Sequence, residues 1–300
     1  MIPEALWSGK ARLEQTPDKF GFLRESHDLA LNPGQALERL EEDGYVYIPG
    51  FHDIHLVENA RRDLLQILHQ EGALSPKHPV CNGVSSPDLS MTFRPDIGNT
   101  CEAIQDLVYS PATMDWFDRM FDEPALHFNF TWLRIIAKGQ GTWPHCDIVY
   151  MGRGTRQLYT MWTPLGNVPL SVGGLIVLEN SHRLSHLHQT YGQLDVDTVC
   201  SNEPDKNEVE AHGFHRSGAI SINPVQLRDD FGGRWLTAEE YRMGDALIFG
   251  MDTVHASLDN QTDFIRLSTD TRYQRASHPA DERWVGDALG HDAIKFETIC

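Results

Sequence analysis

The sequence lacks several features that would assign it to a particular class of protein. No apolar run approaches the roughly 20 residues that a membrane-spanning helix needs. The segment 1–20 does not have the basic-then-apolar order of a secretory signal. Basic residues are few, since 25 Lys and Arg stand against 43 Asp and Glu, which gives a formal net charge of −18. We therefore expect no binding to nucleic acids or anionic membranes, because both attract basic surfaces.

The cysteines do not form the pattern of a disulfide framework or a zinc site. There are five, they are scattered, and none has the CxxC spacing. An odd number of isolated cysteines indicates reduced thiols and predicts a cytoplasmic protein. Cys146 lies between two candidate metal ligands, and we expect its side chain to point away from them on the other face of a strand.

What is present indicates a globular protein, which we expect to form a single domain over residues 1–300. The first thirty residues are predicted to form an irregular leader. A segment with a Pro start and a Gly end predicts a helix over 33–44, followed by the short strand YVYIPGF. Apolar residues spaced by three and four predict a second helix over 55–72, and 111–121 indicates a third.

From about residue 126 the chain consists of short β-rich segments separated by Gly, Pro, Asn and Asp. These segments are ALHFNFTWLRIIA, DIVYM, QLYTMWTPL, GGLIVLEN, GAISI, DALIFGM and FIRLSTDTRYQ. Helices followed by many short strands predict an antiparallel sandwich or barrel with helices on one face. We therefore expect a helical support region over about 35–125 and a β-rich core over about 126–275. The polar segment 192–217 predicts an exposed loop, either a lid or a plain surface insertion.

The stretch GTWPHCDIVY, residues 141–150, places His145 and Asp147 one residue apart. If this stretch is a strand, both side chains point to one face and converge on one ion. An imidazole nitrogen and a carboxylate oxygen suit a divalent first-row metal. The spacing alone is weak evidence, because a chain with 15 histidines yields roughly one such pair by chance.

A third ligand and an anion anchor are predicted more than a hundred residues later. DALIFGMDTVHASL and FIRLSTDTRYQ indicate two strands joined by a turn at DNQTD. In that register His255 and Arg266 lie opposite one another on adjacent strands, and so do Ser257 and Ser268. Two histidines and one carboxylate leave about three coordination positions open, as in non-haem iron oxygenases. An arginine beside them would bind the far end of a dicarboxylic co-substrate bidentately.

Four blocks of the sequence occur in an order that is specific to one enzyme family. They are LERLEEDGYVYIPGF, GTWPHCDIVY, WTPLGNVPLSVGGLIVLENSHR and MGDALIFGMDTVHASLDNQTDFIRLST. Over about residues 35–275 the chain resembles the phytanoyl-CoA dioxygenase family of Fe(II)- and 2-oxoglutarate-dependent oxygenases. The resemblance implies a double-stranded β-helix, or jelly roll, with flanking helices. It also implies that Fe(II), 2-oxoglutarate and O2 support hydroxylation of an unactivated C–H bond in a small molecule, with release of succinate and CO2.

The resemblance further implies roles for individual residues. Three would bind the iron: His145, Asp147 and His255. Four would contact 2-oxoglutarate: Arg266, Ser257, Trp162 and Ser268. Among these, Arg266 would hold the distal carboxylate of the co-substrate. The family often has Gln between the His and Asp ligands, where it can contact 2-oxoglutarate, so Cys146 at this position puts that contact in doubt.

Three other functions are open on the sequence. A zinc-dependent hydrolase could use the same two histidines and aspartate with a bound water, although it gives no reason for Arg266. A non-catalytic jelly-roll binding or sensor protein could retain the fold and the residues. A nucleic-acid demethylase with the same chemistry is disfavoured by the charge of −18. Lipid-like, amino-acid-derived and natural-product substrates are all compatible with the sequence, and so is any oligomeric state.

Overall fold

Two β-sheets face each other in the computed structural model, which describes residues 5–90, 92–198, 218–286 and 289–291. The strands are β1 (Leu6–Ser8), β2 (Ala11–Leu13), β3 (Phe20–Phe22), β4 (Tyr45–Ile48), β5 (Thr92–Phe93), β6 (Ala125–His127), β7 (Trp132–Ile136), β8 (Leu158–Pro164), β9 (Val168–Pro169), β10 (Leu175–Leu178), β11 (Trp235–Thr237), β12 (Glu240–Tyr241), β13 (Ala246–Gly250), β14 (His255–Ser257) and β15 (Arg266–Arg275). The α-helices are α1 (Ala36–Asp43), α2 (Ile54–Gln70), α3 (Pro95–Thr100), α4 (Glu102–Val108), α5 (Pro111–Phe121), α6 (Ile148–Met151), α7 (Ser185–Gln189) and α8 (Pro224–Phe231). Short 3-10 helices span His27–Ala30, Pro33–Gln35, Val80–Asn82, Ser181–Arg183, Tyr191–Gln193 and Glu282–Trp284.

The major sheet has the order β4-β13-β8-β15-β7-β5, and β6 also pairs with β15. The minor sheet has the order β14-β10-β11-β3. Side chains from both sheets pack between them, among them Trp162 and Phe249 from the major sheet and Val177 and Leu236 from the minor sheet. This is the jelly roll that the resemblance implies, and its interior lies between the sheets.

The helices cover the outer face of the major sheet. Apolar residues of α2 and α4 pack with Leu133 and Leu267, and Phe117 of α5 stacks on Tyr273 at a ring distance of 3.9 Å. The three helices predicted from sequence are confirmed as α1, α2 and α5. Gly44 ends α1 in the left-handed conformation with φ of 81°, where a side chain would be strained and would also overlap His182.

Successive residues of β15 point to opposite faces of the major sheet, as in any strand. Leu267 and Tyr273 lie in the apolar layer under the helices. The alternate positions of β15 therefore face the interior between the sheets, and they carry Arg266, Ser268, Asp270 and Arg272. Polar and charged residues in the interior are unusual in a β-sandwich core and indicate a functional site.

Three expectations about local structure are wrong. The first thirty residues are not an irregular leader, because β1 pairs with β2 and β3 joins the minor sheet beside β11. These strands have three residues each, which is too short for an alternating pattern to be visible. DIVYM forms the helical turn α6, and GAISI forms no strand.

The predicted loop over 192–217 is described only as far as residue 198. Within that part, Tyr191–Gln193 is a 3-10 helix, and both Val196 and Asp197 are buried. The remainder of the predicted loop or lid, residues 199–217, lies outside the described residues. In the part of the chain that the structure covers, no helix is both long enough and apolar enough to cross a bilayer.

The stability of the folded protein is expected to depend on pH through His52. This histidine follows β4, is buried, and its Nε2 lies 3.0 Å from Thr163 Oγ1. Burial lowers the pKa of His52 to about 3, whereas histidine in an unfolded chain has a pKa of about 6.5. Between these values the unfolded state binds a proton that the folded state does not. The free energy of unfolding should therefore fall below pH 6.5, by up to about 1.4 kcal/mol per pH unit from this residue.

Denaturant unfolding of the metal-free protein between pH 7.5 and 5 measures this dependence. The slope also contains contributions from other buried histidines, so the His52→Gln variant provides the comparison. We expect a shallower pH slope in His52→Gln than in the wild type. Equal slopes would show that His52 does not remain neutral in the folded state.

Candidate metal centre

Three side chains converge in the interior next to the minor sheet. The Nε2 atoms of His145 and His255 lie 3.8 and 3.7 Å from Asp147 Oδ1, and all three residues are buried. First-row metals bond such atoms at about 2.0–2.2 Å. Both separations are less than twice that bond length, and the three ligand atoms all lie within 4.8 Å of one another, so they are placed to hold one ion. The structure therefore brings together the three residues that the sequence analysis singled out, His145, Asp147 and His255.

The backbone that brings the three residues together differs from the predicted strand. His145 and His255 form an isolated antiparallel bridge, with both N–O distances at 3.0 Å. The chain then turns at Asp147, which is the first residue before α6 and makes no side-chain cap. The carboxylate reaches the histidines because of this turn, and not because i and i+2 share the face of a strand.

Backbone carbonyls fix the orientation of both imidazoles. His145 Nδ1 lies 2.7 Å from the carbonyl oxygen of Trp143, and His255 Nδ1 lies 3.1 Å from that of Thr253. A carbonyl only accepts, so each Nδ1 carries the hydrogen and each Nε2 presents a lone pair. Burial lowers the pKa of His145 to about 3 and also lowers the pKa of His255. Both rings are thus neutral at physiological pH, which is the form that binds a metal.

The two oxygens of Asp147 have different environments. Oδ1 faces the histidines, whereas Oδ2 accepts hydrogen bonds from Arg272 Nη2 at 2.9 Å and from the hydroxyl of Thr160. Burial raises the pKa of Asp147, but the charge of Arg272, the two histidines and the Thr160 hydrogen bond together hold it well below its usual range. Asp147 is therefore an ionised carboxylate with one oxygen free to bind a cation.

The predicted hairpin between His255 and Arg266 is wrong. β14 pairs with β10 in the minor sheet, whereas β15 pairs with β7 and β8 in the major sheet. The connecting segment crosses from one sheet to the other, and Asn260 holds it by donating to the carbonyl oxygens of Ile136 and Phe264. The backbone N–H groups of Asp259 and Gln261 donate to the carbonyl oxygens of Trp7 and Ser171, so DNQTD bonds to distant segments instead of closing a tight hairpin. Ser257 and Ser268 are likewise on different sheets.

Arg266 is buried with incomplete hydrogen bonding. It is 1% exposed, and Nη1 donates to the carbonyl oxygen of Gly173 at 2.6 Å. Its Nε and Nη2 atoms have no hydrogen-bond partner among the described residues, and neither do Ser268 Oγ and Trp162 Nε1. Burial lowers the pKa of Arg266 to about 9, so the guanidinium remains charged at neutral pH. Buried donors without acceptors are costly, and this set has the chemistry to bind a carboxylate.

Ser257, the remaining residue of the predicted co-substrate site, lies in the minor sheet two residues after His255. Its Oγ accepts a hydrogen bond from the backbone N–H of Thr142 at 2.8 Å. The hydroxyl hydrogen is left to donate. Ser257 therefore lies close to His255 in sequence and on the minor sheet, whereas Arg266 lies on the major sheet.

A comparison with models of known families decides the identity of the fold and its chemistry. The model of the family described as phytanoyl-CoA dioxygenase (PhyH) matches residues 40–268. The chain belongs to this family. It is an Fe(II)- and 2-oxoglutarate-dependent dioxygenase with O2 as the second co-substrate, and the oxygenase prediction is confirmed.

Several relatives of this phytanoyl-CoA dioxygenase family member have names or structures. Two 1-deoxypentalenic acid 11-beta-hydroxylases, from Streptomyces arenae and Streptomyces exfoliatus, are 25% and 26% identical to it, and each alignment covers 82% of this chain and 83% of the relative. The carbocyclase SnoK from nogalamycin biosynthesis has a TM-score of 0.56 and 17% identity, with 86% of this chain and 89% of SnoK covered. EctD from S. alaskensis has a TM-score of 0.53 and 16% identity, with 95% and 91% covered. These structures confirm the jelly-roll fold.

Cys146 of this family member points away from the metal ligands, as expected. Its Sγ lies 3.5 Å from the carbonyl oxygen of Asp252, and the residue belongs to the apolar core. Burial raises the pKa of the Cys146 thiol well above its usual value. The thiol is therefore protonated, and Cys146 is a residue of the apolar core.

Sequence reasoning missed three residues of the family member's interior: Arg272, Thr160 and Asp270. Arg134 Nε donates to Asp270 Oδ2 at 2.6 Å, and this partly buried pair is close enough to influence the pKa of both His255 and Arg266. Alternation along β15 could have found Asp270 and Arg272, because both share the face of Arg266. No sequence signal links Thr160 to Asp147.

Proposed function

We propose that this dioxygenase hydroxylates an unactivated C–H bond of a small organic molecule, at an iron held by His145, Asp147 and His255. The observation that carries the proposal is the buried cluster itself, in which two neutral imidazole nitrogens and one carboxylate oxygen face one point. The free donors of Arg266 support a second part of the proposal, in which this residue binds the distal carboxylate of 2-oxoglutarate.

Each residue of the chain would have a distinct task. The three ligands would occupy one face of the iron and leave about three positions for co-substrate and O2. Arg266 would bind the distal carboxylate, while Ser268, Trp162 and Ser257 would line the co-substrate pocket. The bound iron, with 2-oxoglutarate and O2, supplies an oxidant that can break an unactivated C–H bond as succinate and CO2 are released.

The chain also shields the site from water. The ring of Phe249 lies 4.4 Å from that of His255, and the ring of Tyr150 lies 5.7 Å from that of His145. Apolar walls exclude water and keep nucleophilic side chains away from a reactive oxidant. The thiol of Cys146, which is directed to the Asp252 carbonyl, is kept out of the centre by the same packing.

Anaerobic titration of the metal-free protein with Fe(II) and 2-oxoglutarate tests the proposal. The chelate of the two gives a weak visible charge-transfer band, and we expect this band only when protein, iron and 2-oxoglutarate are all present. Titration with Zn(II) in place of Fe(II) is the control, because a d10 ion gives no such band. Iron binding without the band would contradict the assignment of the co-substrate site, and absence of iron binding would contradict the metal site.

The setting of the reaction is also a proposal. The named relatives carry small-molecule substrates in their names, such as 1-deoxypentalenic acid, and a charge of −18 disfavours nucleic acids and anionic membranes as partners. Cys81, Cys101 and Cys146 are free thiols, which supports the proposal that the protein works in a reducing cytoplasm. Binding of DNA or anionic vesicles at low salt would contradict this part of the proposal.

A further inference from the structure

Arg272 and Thr160 are neighbours across two paired strands, and both contact the same oxygen of Asp147. They face each other in the register of β15 with β8, and both are buried. Arg272 Nη2 lies 2.9 Å from Asp147 Oδ2, and the Thr160 hydroxyl donates to that same atom. We propose that Arg272, with Thr160, is a positioning residue that leaves Asp147 only Oδ1 for the iron. This inference rests on the iron site proposed above.

The two carboxylate oxygens of Asp147 have different neighbours. Both histidine Nε2 atoms approach Oδ1, at 3.8 and 3.7 Å, whereas the two donors approach Oδ2. An oxygen that accepts two hydrogen bonds, one of them from a cation, is a poor ligand for a second cation. Asp147 would therefore offer the iron a single oxygen, Oδ1.

Arg272 is poorly suited to a purely structural task. It is 2% exposed, and its guanidinium lies 4.2 Å from the ring centre of Trp132. Its Nε and Nη1 atoms have no hydrogen-bond partner among the described residues. Burying a charge with unmade hydrogen bonds is costly, and an apolar residue of similar volume would often be as stabilising or more so. The hydrogen bond to Asp147 is what distinguishes Arg272 from such a residue.

Asp147 needs an external support because its own backbone gives it little. It precedes a helix of four residues and makes no side-chain cap there. A second oxygen bound to the iron would take one of the about three positions that a facial triad leaves open. The hydrogen bonds to Oδ2 thus preserve the positions that 2-oxoglutarate and O2 require. Residues that orient a ligand in this way typically contribute about 10–100-fold to metal affinity or activity.

The test uses Mn(II), which is visible by electron paramagnetic resonance, with no co-substrate present. The variants are Arg272→Met, Arg272→Lys and Thr160→Val, and the control is Arg119→Gln on the outer surface of α5. We expect a loss of Mn(II) affinity of about 10–100-fold in Arg272→Met and smaller losses in Arg272→Lys, which retains the charge, and in Thr160→Val. In labelled water, the number of water ligands on the bound Mn(II) should fall by one in Arg272→Met. A residue that only supports the fold would leave this number unchanged.

Each outcome has a defined meaning. Circular dichroism shows which variants are folded, and if Arg272→Met is not folded, Arg272→Lys and Thr160→Val decide the question. Folded variants with wild-type affinity and an unchanged number of water ligands would overturn the role of Arg272. If the wild type itself binds no Mn(II), or if His255→Ala binds it equally well, the proposed iron site fails and this inference fails with it. Wild-type binding that depends on His255 but not on Arg272 overturns this inference alone.

Discussion

The His255→Ala variant is expected to remain folded but to lose iron binding and turnover. In the proposed iron site His255 would provide one of three ligand atoms, and its Nε2 lies 3.7 Å from Asp147 Oδ1. Without it, two ligands remain, and a metal-binding free energy of about 10–16 kcal/mol shared among four ligands, as in zinc-finger peptides, gives several kcal/mol for each ligand. A loss of about 4 kcal/mol corresponds to roughly a thousandfold in affinity. Anaerobic titration with Fe(II), followed by the 2-oxoglutarate charge-transfer band, measures the loss.

A matched control for this variant is another buried histidine. His52→Gln removes an imidazole that is buried like that of His255 but hydrogen-bonds to Thr163, and among the described residues it belongs to no group of metal-ligating side chains. We expect His52→Gln to bind iron as the wild type does. Wild-type iron affinity and turnover in His255→Ala would show that His255 is not a metal ligand. Equal losses of iron binding in both variants would indicate a general effect of losing a buried histidine.

The Arg266→Ala variant is expected to bind iron normally but to bind 2-oxoglutarate very weakly. Arg266 is 1% exposed, and two of its nitrogens have no partner among the described residues. Removing one side of a buried charge pair typically costs about 2–5 kcal/mol, which corresponds to roughly 30-fold to several-thousandfold in the dissociation constant of the co-substrate. Titration of the iron-loaded protein with 2-oxoglutarate gives this constant, and titration with iron alone gives the control.

A second compound tests whether Arg266 recognises the distal carboxylate. 2-Oxovalerate has the same chain length as 2-oxoglutarate but carries a methyl group where 2-oxoglutarate has its distal carboxylate. The wild type should strongly prefer 2-oxoglutarate, and Arg266→Ala should have nearly lost this preference. The exposed Arg119, replaced by Gln, is again the control. An unchanged preference in Arg266→Ala would mean that another cation binds the distal carboxylate.

The interior of the jelly roll combines charges that a purely structural core would avoid. Arg266 and Arg272 lie on one face of β15 together with Asp270, which pairs with Arg134. Asp147 balances the charge of Arg272. Such groups cost free energy when buried, because water solvates them better than protein does. The cost falls at two positions with proposed tasks. Arg266 would bind the co-substrate carboxylate, and Arg272 would position the aspartate ligand.

The sequence by itself determined the elements whose signals are local. The Pro start and Gly end of α1 and the apolar spacing of α2 are properties of neighbouring residues. The resemblance carried by the four motif blocks likewise led to the family and named the three ligand types. These inferences needed no knowledge of which strands pair.

Only the tertiary structure decided how the site is assembled. His145 meets His255 through a bridge between residues far apart in the chain, and a turn at Asp147 completes the cluster. Arg266 lies on the opposite sheet from His255, and Arg272 reaches the ligand Asp147 from that sheet. A periodic pattern shows which face of a strand is buried, but it does not specify which strand lies beside it or across from it. Partners across the two sheets are therefore fixed by packing of the whole chain.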